Sequence, residues 1–168
     1  MRHRAAPSVR RVPREGLNAS IPGVDVQLIG AAETAPVRQV VLRPGRPPET
    51  CLFDGDEGPC AFHLGAFEDG AIVGVATFLP GVNELFTESE QFKLRGMAVL
   101  PEHRGRGLGS ALILAALPML QDAGCSVLWC SARVTAVPFY ERHGFATIGE
   151  VYVVPITGPH IVMYRRLP

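Results

Sequence analysis

The chain is 168 residues long, 47% hydrophobic and 19% charged, with 16 Lys+Arg balancing 16 Asp+Glu. That length supports one domain burying roughly two thirds of its unfolded surface, and zero net charge excludes global steering toward nucleic acid or acidic membranes. No apolar run reaches the ~20 residues that a bilayer-spanning helix needs; the longest, SALILAALPML, is interrupted by Pro118 and reads as a buried helix.

Arg2, Arg4, Arg10, Arg11 and Arg14 crowd the N-terminus beside Pro7 and Pro13, with little apolar periodicity. Residues 1–22 are therefore expected to form a flexible arginine-rich arm, and residues 23–168 the domain. The arginines are not followed by an apolar core and small-residue cleavage site, which points to the cytoplasm. VDVQLIG (24–30) alternates and is rich in branched residues, a first strand. TAPVRQVVL reads as a short helix with Thr34 as N-cap and Pro36 in its first turn. RPGRPPET is a loop. CAFHLGAFEDGAIVGVATFL reads as two strands joined at Asp69-Gly70, a strong hairpin signal.

Residues 80–91 read as a polar loop or irregular helix, and FKLRGMAVL (92–100) as a strand ending at Pro101. From about Gly107 a helix begins. Leu108, Ala111, Leu112, Ala115 and Ala116 lie at i, i+3, i+4, i+7, i+8 on one apolar face, and Gly124 suits the C-terminal cap. SVLWCSA is a continuous apolar strand, hence central and covered on both faces. VTAVPFYERHG is a late helix stopped by Gly144, and strands follow at about 146–154 and 161–167.

Cys51, Cys60, Cys125 and Cys130 form no CxxC pair. Cys125 and Cys130, five apart around one strand, are expected on opposite faces. A zinc site is not expected, and all four read as reduced thiols with a packing role.

PEHRGRGLGS (101–110) carries the strongest chemical signal. A strand feeding a glycine-rich turn that opens a helix converges free N–H groups and the positive end of the helix dipole on one point, an anion site suited to a diphosphate. Gly105, Gly107 and Gly109 remove side chains near that point, while Arg104 and Arg106 add charge. A Walker loop needs a lysine that is absent here. The dinucleotide fingerprint spaces its glycines GxGxxG, whereas this run reads GxGxG and lacks the acidic residue expected about 20 residues on. The pattern [QR]xxGx[GA] fits Arg104 to Gly109 in full. By itself such a match leaves a plain strand-to-helix turn equally open.

LRGMAVLPEHRGRGLGSALI resembles the acyl-CoA-binding segment of the GNAT superfamily of N-acetyltransferases. ARVTAVPFYERHGF resembles its second signature and GPHIVMYRRL its closing strand, so the likeness runs from about residue 24 to the C-terminus. The resemblance implies a mixed α/β (α+β) GNAT fold: a central mixed, mostly antiparallel sheet of about seven strands, flanked by helices and splayed at the acyl-CoA site. It implies that Arg104, Gly105, Arg106, Gly107, Leu108, Gly109 and Ser110 hold the coenzyme A diphosphate through backbone N–H groups. The main chain of Met97, Ala98 and Val99 would pair with the pantetheine arm, one amide polarising the thioester carbonyl.

Tyr140 matches the tyrosine that often protonates the departing thiolate; packing beside Phe139 is the alternative. Ser131 stands where many relatives carry an asparagine that touches the pantetheine, and a serine reaches less far. An amine acceptor with a pKa near 10.4 must lose a proton, yet KLRGM offers Lys93 and Arg95 where many relatives place a glutamate. The candidate bases are His160 first, then His63, Glu102 and Glu150, with turn or strand hydrogen bonding the alternative for either histidine. Arg95 would welcome a substrate carboxylate or else pair with an acidic residue in NELFTESE. Arg38 and Arg43 raise the same question, with exposed helix charge as the default.

The implied enzyme is an acyl-CoA-dependent N-acyltransferase. It would use acetyl-CoA, no metal, and a primary amine by direct attack in a ternary complex. A small-molecule acceptor comes first and a peptide or protein amine second. The resemblance leaves room for a homodimer, with no nucleic acid or membrane partner. A non-catalytic or regulatory acyl-CoA-binding module is the rival reading, since no obvious base is present; nucleic-acid binding through the arm is a third.

Overall fold

In the computed structural model, residues 23–168 are described; the expected arm, 1–22, lies outside them. Seven strands form one sheet: β1 Asp25–Ile29, β2 Phe62–Glu68, β3 Ala71–Pro80, β4 Gln91–Val99, β5 Val127–Arg133, β6 Ala146–Val154 and β7 Gly158–Arg166. Their spatial order is β1-β2-β3-β4-β5-β7-β6. Every neighbouring pair is antiparallel except the parallel β4–β5 pair.

Local chemistry accounts for much of this order. Asp69 and Gly70 both have positive φ, 49° and 77°, the backbone that a tight β2–β3 turn requires. Val127–Cys130 is buried throughout, as a strand with neighbours on both sides and cover on both faces requires. Helix α2, Leu108–Asp122, buries Leu108, Ala111, Leu112, Ala115 and Ala116, joined by Ile113, Met119 and Leu120. These meet Phe62, Leu64, Phe78, Phe92 and Leu94 in the main core. Pro118 lies inside α2 and removes the amide that would bond the carbonyl of Leu114, an exposed residue whose carbonyl water can serve. Gly124, at φ 79°, ends the helix as expected: its N–H bonds Gln121 O and that of Cys125 bonds Leu120 O, both at 2.9 Å.

Helix α1, Ala35–Val41, covers the opposite face through Val37, Val75 and Ala98. Thr34 stands at its N-cap position as expected but makes no side-chain cap bond; a 3₁₀ turn, Ala31–Thr34, leads directly into the helix, and the Thr34 hydroxyl donates back to Ala31 O at 2.6 Å. Helix α3, Val137–Glu141, is a short piece behind another 3₁₀ turn. The expectation for Cys125 fails because it precedes β5, in the turn after α2. It therefore packs in the same core as Cys130, and Cys51, Cys125 and Cys130 are buried free thiols.

Candidate active site

The sheet opens at its centre. Strands β4 and β5 are paired only at Gln91–Val127, Phe92–Leu128 and Lys93–Trp129. Beyond that point Leu94–Val99 and Cys130–Arg133 diverge, and the facing edge of β4 has no strand partner. An extended ligand can add itself to such an edge through main-chain hydrogen bonds.

A β-bulge shapes that edge. Val75 pairs with Ala98 and Thr77 with Arg95, so β4 carries one extra residue. Gly96 takes it up at φ 59°. A Cβ there would lie 2.7 Å from Nε and Nη2 of Arg38, so glycine is required by space as well as by φ.

Behind the bulge lies a buried polar network. Arg38 is fully buried; its guanidinium donates to Asp56 Oδ2 at 2.6 Å, Thr77 Oγ1 at 2.6 Å and Cys51 O at 2.9 Å. Arg95 donates to Asp56 Oδ1 at 3.0 Å and to Asp54 O. Burial pushes the Asp56 carboxyl up. The Arg38 hydrogen bond outweighs it, with help from the Phe53 N–H and Arg95, and holds the group below its ordinary value. His63 bonds Thr77 Oγ1 at 2.7 Å and Asp56 O at 2.8 Å, and burial pushes its pKa down.

The glycine loop caps the wide end of the opening. Gly105 and Gly107 have φ of 77° and 80°, and a Cβ on either would meet nothing within 4 Å. The first helical bond of α2 runs from Ala111 N–H to Gly107 O at 2.9 Å, which leaves the amides of residues 108–110 directed out of the helix end. Glu68 Oε2, at the β2–β3 turn, tethers the loop by contacts to His103 Nδ1 at 2.5 Å and Arg106 Nη1 at 3.0 Å. Arg104 Nε donates to Val99 O at 3.1 Å.

Tyr140 reaches this opening from α3. Its hydroxyl lies 3.9 Å from Met97 Sδ, on the bulged segment. Phe139 and Phe145 fix the ring edge-on at 5.1 and 5.4 Å, and burial raises the phenol above its ordinary value. His160 is buried on the other sheet face, beside Arg133 in register on β5. Its Nδ1 lies 2.8 Å from Gly158 O. A carbonyl only accepts, so Nδ1 carries the proton and Nε2 of the neutral ring keeps its lone pair.

Three comparisons meet this geometry. The sequence model of the family described as Acetyltransferase (GNAT) family matches residues 31–145. An uncharacterized N-acetyltransferase of Bacillus subtilis, YitI, is 37% identical over 144 residues, spanning 86% of this chain and 97% of the relative. The chain belongs to the GNAT family. Among solved structures, Escherichia coli ElaA superposes with a TM-score of 0.69 at 20% identity, over 85% of this chain and 99% of that one. YncA of Salmonella typhimurium, solved with its cofactor acetyl-CoA, gives 0.68 at 16% identity, over 87% and 95%. These two likenesses concern the fold: a mixed α/β structure around a mostly antiparallel seven-stranded sheet. Family membership makes this chain an acyl-CoA-dependent N-acyltransferase.

On this GNAT scaffold the sequence-derived residues fall into two groups. Met97, Ala98, Val99, Arg104 to Ser110 and Tyr140 converge on the opening and its glycine cap. His160 and Ser131 lie on the far face, where the Ser131 hydroxyl is hydrogen-bonded to Tyr152 Oη. The Ser110 hydroxyl meets His143 Nε2 at 2.9 Å, leaving its amide for a ligand. Gly109 serves internal packing: a Cβ there would stand 3.1 Å from Phe139 and 3.2 Å from Met97.

Two expectations are corrected. Arg38 is a buried ion-pair partner rather than exposed helix charge, because Asp56 and Thr77 accept from its terminal nitrogens inside. Arg95 pairs with Asp56 and not with the 83–90 segment, whose Glu88 instead holds Arg166 at 2.7 Å. Glu102 and Glu150 are exposed. Among the described residues no group of three or more His, Cys, Asp or Glu side chains is placed to hold a metal, and no helix is long and apolar enough to cross a membrane.

Sequence reasoning missed Asp56, Glu68 and Tyr152. Tyr152 had a readable signal, an aromatic on an alternating strand, and it shares a face with Ile148 across the irregularity between them; its bond to Ser131 depends on the strand order β5-β7-β6.

The loop supports a direct test. Gly107→Val forces a β-branched residue to φ 80°, where local strain costs roughly 1–3 kcal/mol, and places its methyls where an anion would approach the amides. Coenzyme A binding by calorimetry is expected to be lost while cooperative thermal unfolding persists; retained affinity would refute the cradle.

Proposed function

We propose that this GNAT protein transfers an acetyl group from acetyl-CoA to the primary amine of a small molecule by direct attack in a ternary complex. The observation that carries this reading is the Tyr140 hydroxyl held beside Met97 on the unpaired edge of β4, next to an open glycine cap. The residues present fit acetyl-CoA: an unpaired strand edge for an extended arm, and a helix N-terminus whose glycines leave open space for a diphosphate. When bound, acetyl-CoA supplies the acyl group as a thioester.

The amides of residues 108–110 bind the diphosphate, with Arg104 and Arg106 adding charge. The Met97–Val99 main chain aligns the pantetheine arm, and one of its amides donates to the thioester carbonyl oxygen, a contact worth ~10²–10³ in rate. His160 Nε2 takes a proton from the incoming amine, and Tyr140 Oη gives its proton to the leaving sulfur. Three of the cysteines do not suit an acyl carrier: Cys51 is buried, and burial pushes the Cys125 and Cys130 thiols up to about 12, far from a reactive thiolate.

Initial rates with both substrates varied test the order of events. Intersecting double-reciprocal lines are expected; parallel lines would contradict direct attack. His160→Gln keeps a polar side chain but removes the proton acceptor. It is expected to lower kcat/KM by about 10²-fold near neutral pH. The deficit should shrink as pH rises toward an amine pKa of about 10.4, because more amine arrives already neutral. A pH-independent deficit would assign His160 a structural role.

A further inference from the structure

On the sheet face that carries β4 residues Lys93 and Arg95, four cationic side chains gather around two aromatic rings. The guanidiniums of Arg38, Arg43 and Arg95 surround the Phe53 ring, with Cζ 4.3, 5.3 and 5.5 Å from its centroid. Two residues from Arg95 along β4, and therefore on the same face, the Lys93 ammonium stands 4.8 Å from the Trp129 ring centroid. Among the described residues, the carboxylate ion-paired with this cluster is that of Asp56, which spends Oδ2 on Arg38 and Oδ1 on Arg95.

Among the described residues, Arg43 and Lys93 have no carboxylate within ion-pair distance, and the buried Nε atoms of Arg38 and Arg95 meet no hydrogen-bond acceptor. Burial pushes the pKa of His63 down, which favours its neutral ring, so it does not add to the positive charge. Covered cations are ordinarily paired. These lie where β4 and β5 part, on the face shared by Ser131, Tyr152 and His160. The Arg95 side chain retains 20% exposure and Lys93 is partly exposed, so both remain reachable.

We propose that the acceptor amine carries a carboxylate, received between Arg95 and Lys93 with the Phe53 and Trp129 rings flanking it. This rests on the acetyl-transfer reading above and names the substrate class of that site. A planar carboxylate suits a stacked guanidinium and an ammonium, and two charge-assisted hydrogen bonds in a partly dry site give strong discrimination. Burial first, and then Arg95, pull the Lys93 ammonium below the ordinary lysine range, a strain that an arriving anion relieves.

The test compares β-alanine with β-alaninamide, and aspartate with asparagine, in two readouts. The first is acetyl-CoA-dependent thiol release. The second is Trp129 fluorescence without acetyl-CoA, unambiguous because the chain has one tryptophan. In each pair the member with the additional carboxylate is expected to be preferred by about tenfold or more in kcat/KM and in affinity. Lys93→Gln, which breaks no ion pair, is expected to erase most of that preference, and Arg43→Gln to reduce it.

Equal or reversed preference in both readouts would overturn the inference. Thiol release without carboxylate preference, together with a silent Trp129, would overturn it while leaving acetyl transfer standing. Carboxylate-dependent fluorescence with no thiol release from any amine would support the anion site and overturn the acetyl-transfer reading.

Discussion

Tyr140→Phe is expected to lower turnover by about 10²–10⁴-fold with little change in coenzyme A affinity. Among the described residues, the phenol's Oη donates to the Met97 thioether at 3.9 Å, a weak acceptor. Removing the oxygen therefore leaves no buried donor or acceptor stranded. The ring contacts with Phe139 and Phe145 survive the substitution, so folding stability should be nearly unaffected. Burial keeps the phenol protonated across the working range, which suits a group needed only as a donor. The dry pocket raises a thiolate's basicity too, and that shared shift keeps the transfer favourable. Stopped-flow or steady-state thiol assays beside calorimetric coenzyme A binding separate the two effects. Unchanged turnover would remove Tyr140 from the chemistry.

Asp56→Ala is expected to destabilise the fold by about 3–5 kcal/mol, because it leaves a buried arginine without its counter-charge. Arg38 is fully buried, and its closest acidic contact is Asp56 Oδ2 at 2.6 Å. The damage should extend to activity. The same guanidinium donates to Thr77, whose register partner is Arg95, and it packs against Gly96 at the bulge. Urea denaturation measures the loss; a change below about 1 kcal/mol would mean that the pair behaves as a surface contact.

The wild-type pH profile follows from the same group. Its folded pKa lies below the model-compound value of 3.8, so the ionised form's contribution is fully present above that value. It is lost as pH falls through the lower, folded pKa. The variant should lack this part of the acid dependence.

What was legible in the sequence was local. The Asp69-Gly70 turn, the α2 face and the glycine run each announce themselves within a few residues, through backbone requirements and helical spacing that no distant contact can override. The polar network was not legible for the converse reason. Asp56 meets Arg38 across 18 residues and Arg95 across 39, and nothing in FDGDEG distinguishes a buried aspartate from a solvated one. Arg38 was misjudged on the same ground, since an arginine on a short helix is ordinarily exposed. Tyr152 was missed for the same reason: alternation puts it on the face of Ile148, and the two extra β6 residues between them keep it there, but nothing local says that Ser131, two strands away in the sheet, is its partner.

The three glycines of the loop between β4 and α2 differ in what they do. Gly105 and Gly107 hold left-handed backbone over open space, as a cradle requires, whereas Gly109 admits Phe139 and Met97. That second role ties α2 to the bulge and to the helix bearing Tyr140 through one packed contact.

Acetyl-CoA hydrolysis and transfer assays with a panel of primary amines test the central claim most directly. The account predicts thiol release that depends on the amine and is matched mole for mole by acetylated product. Tight coenzyme A binding with no amine-dependent thiol release from any member of the panel would contradict it.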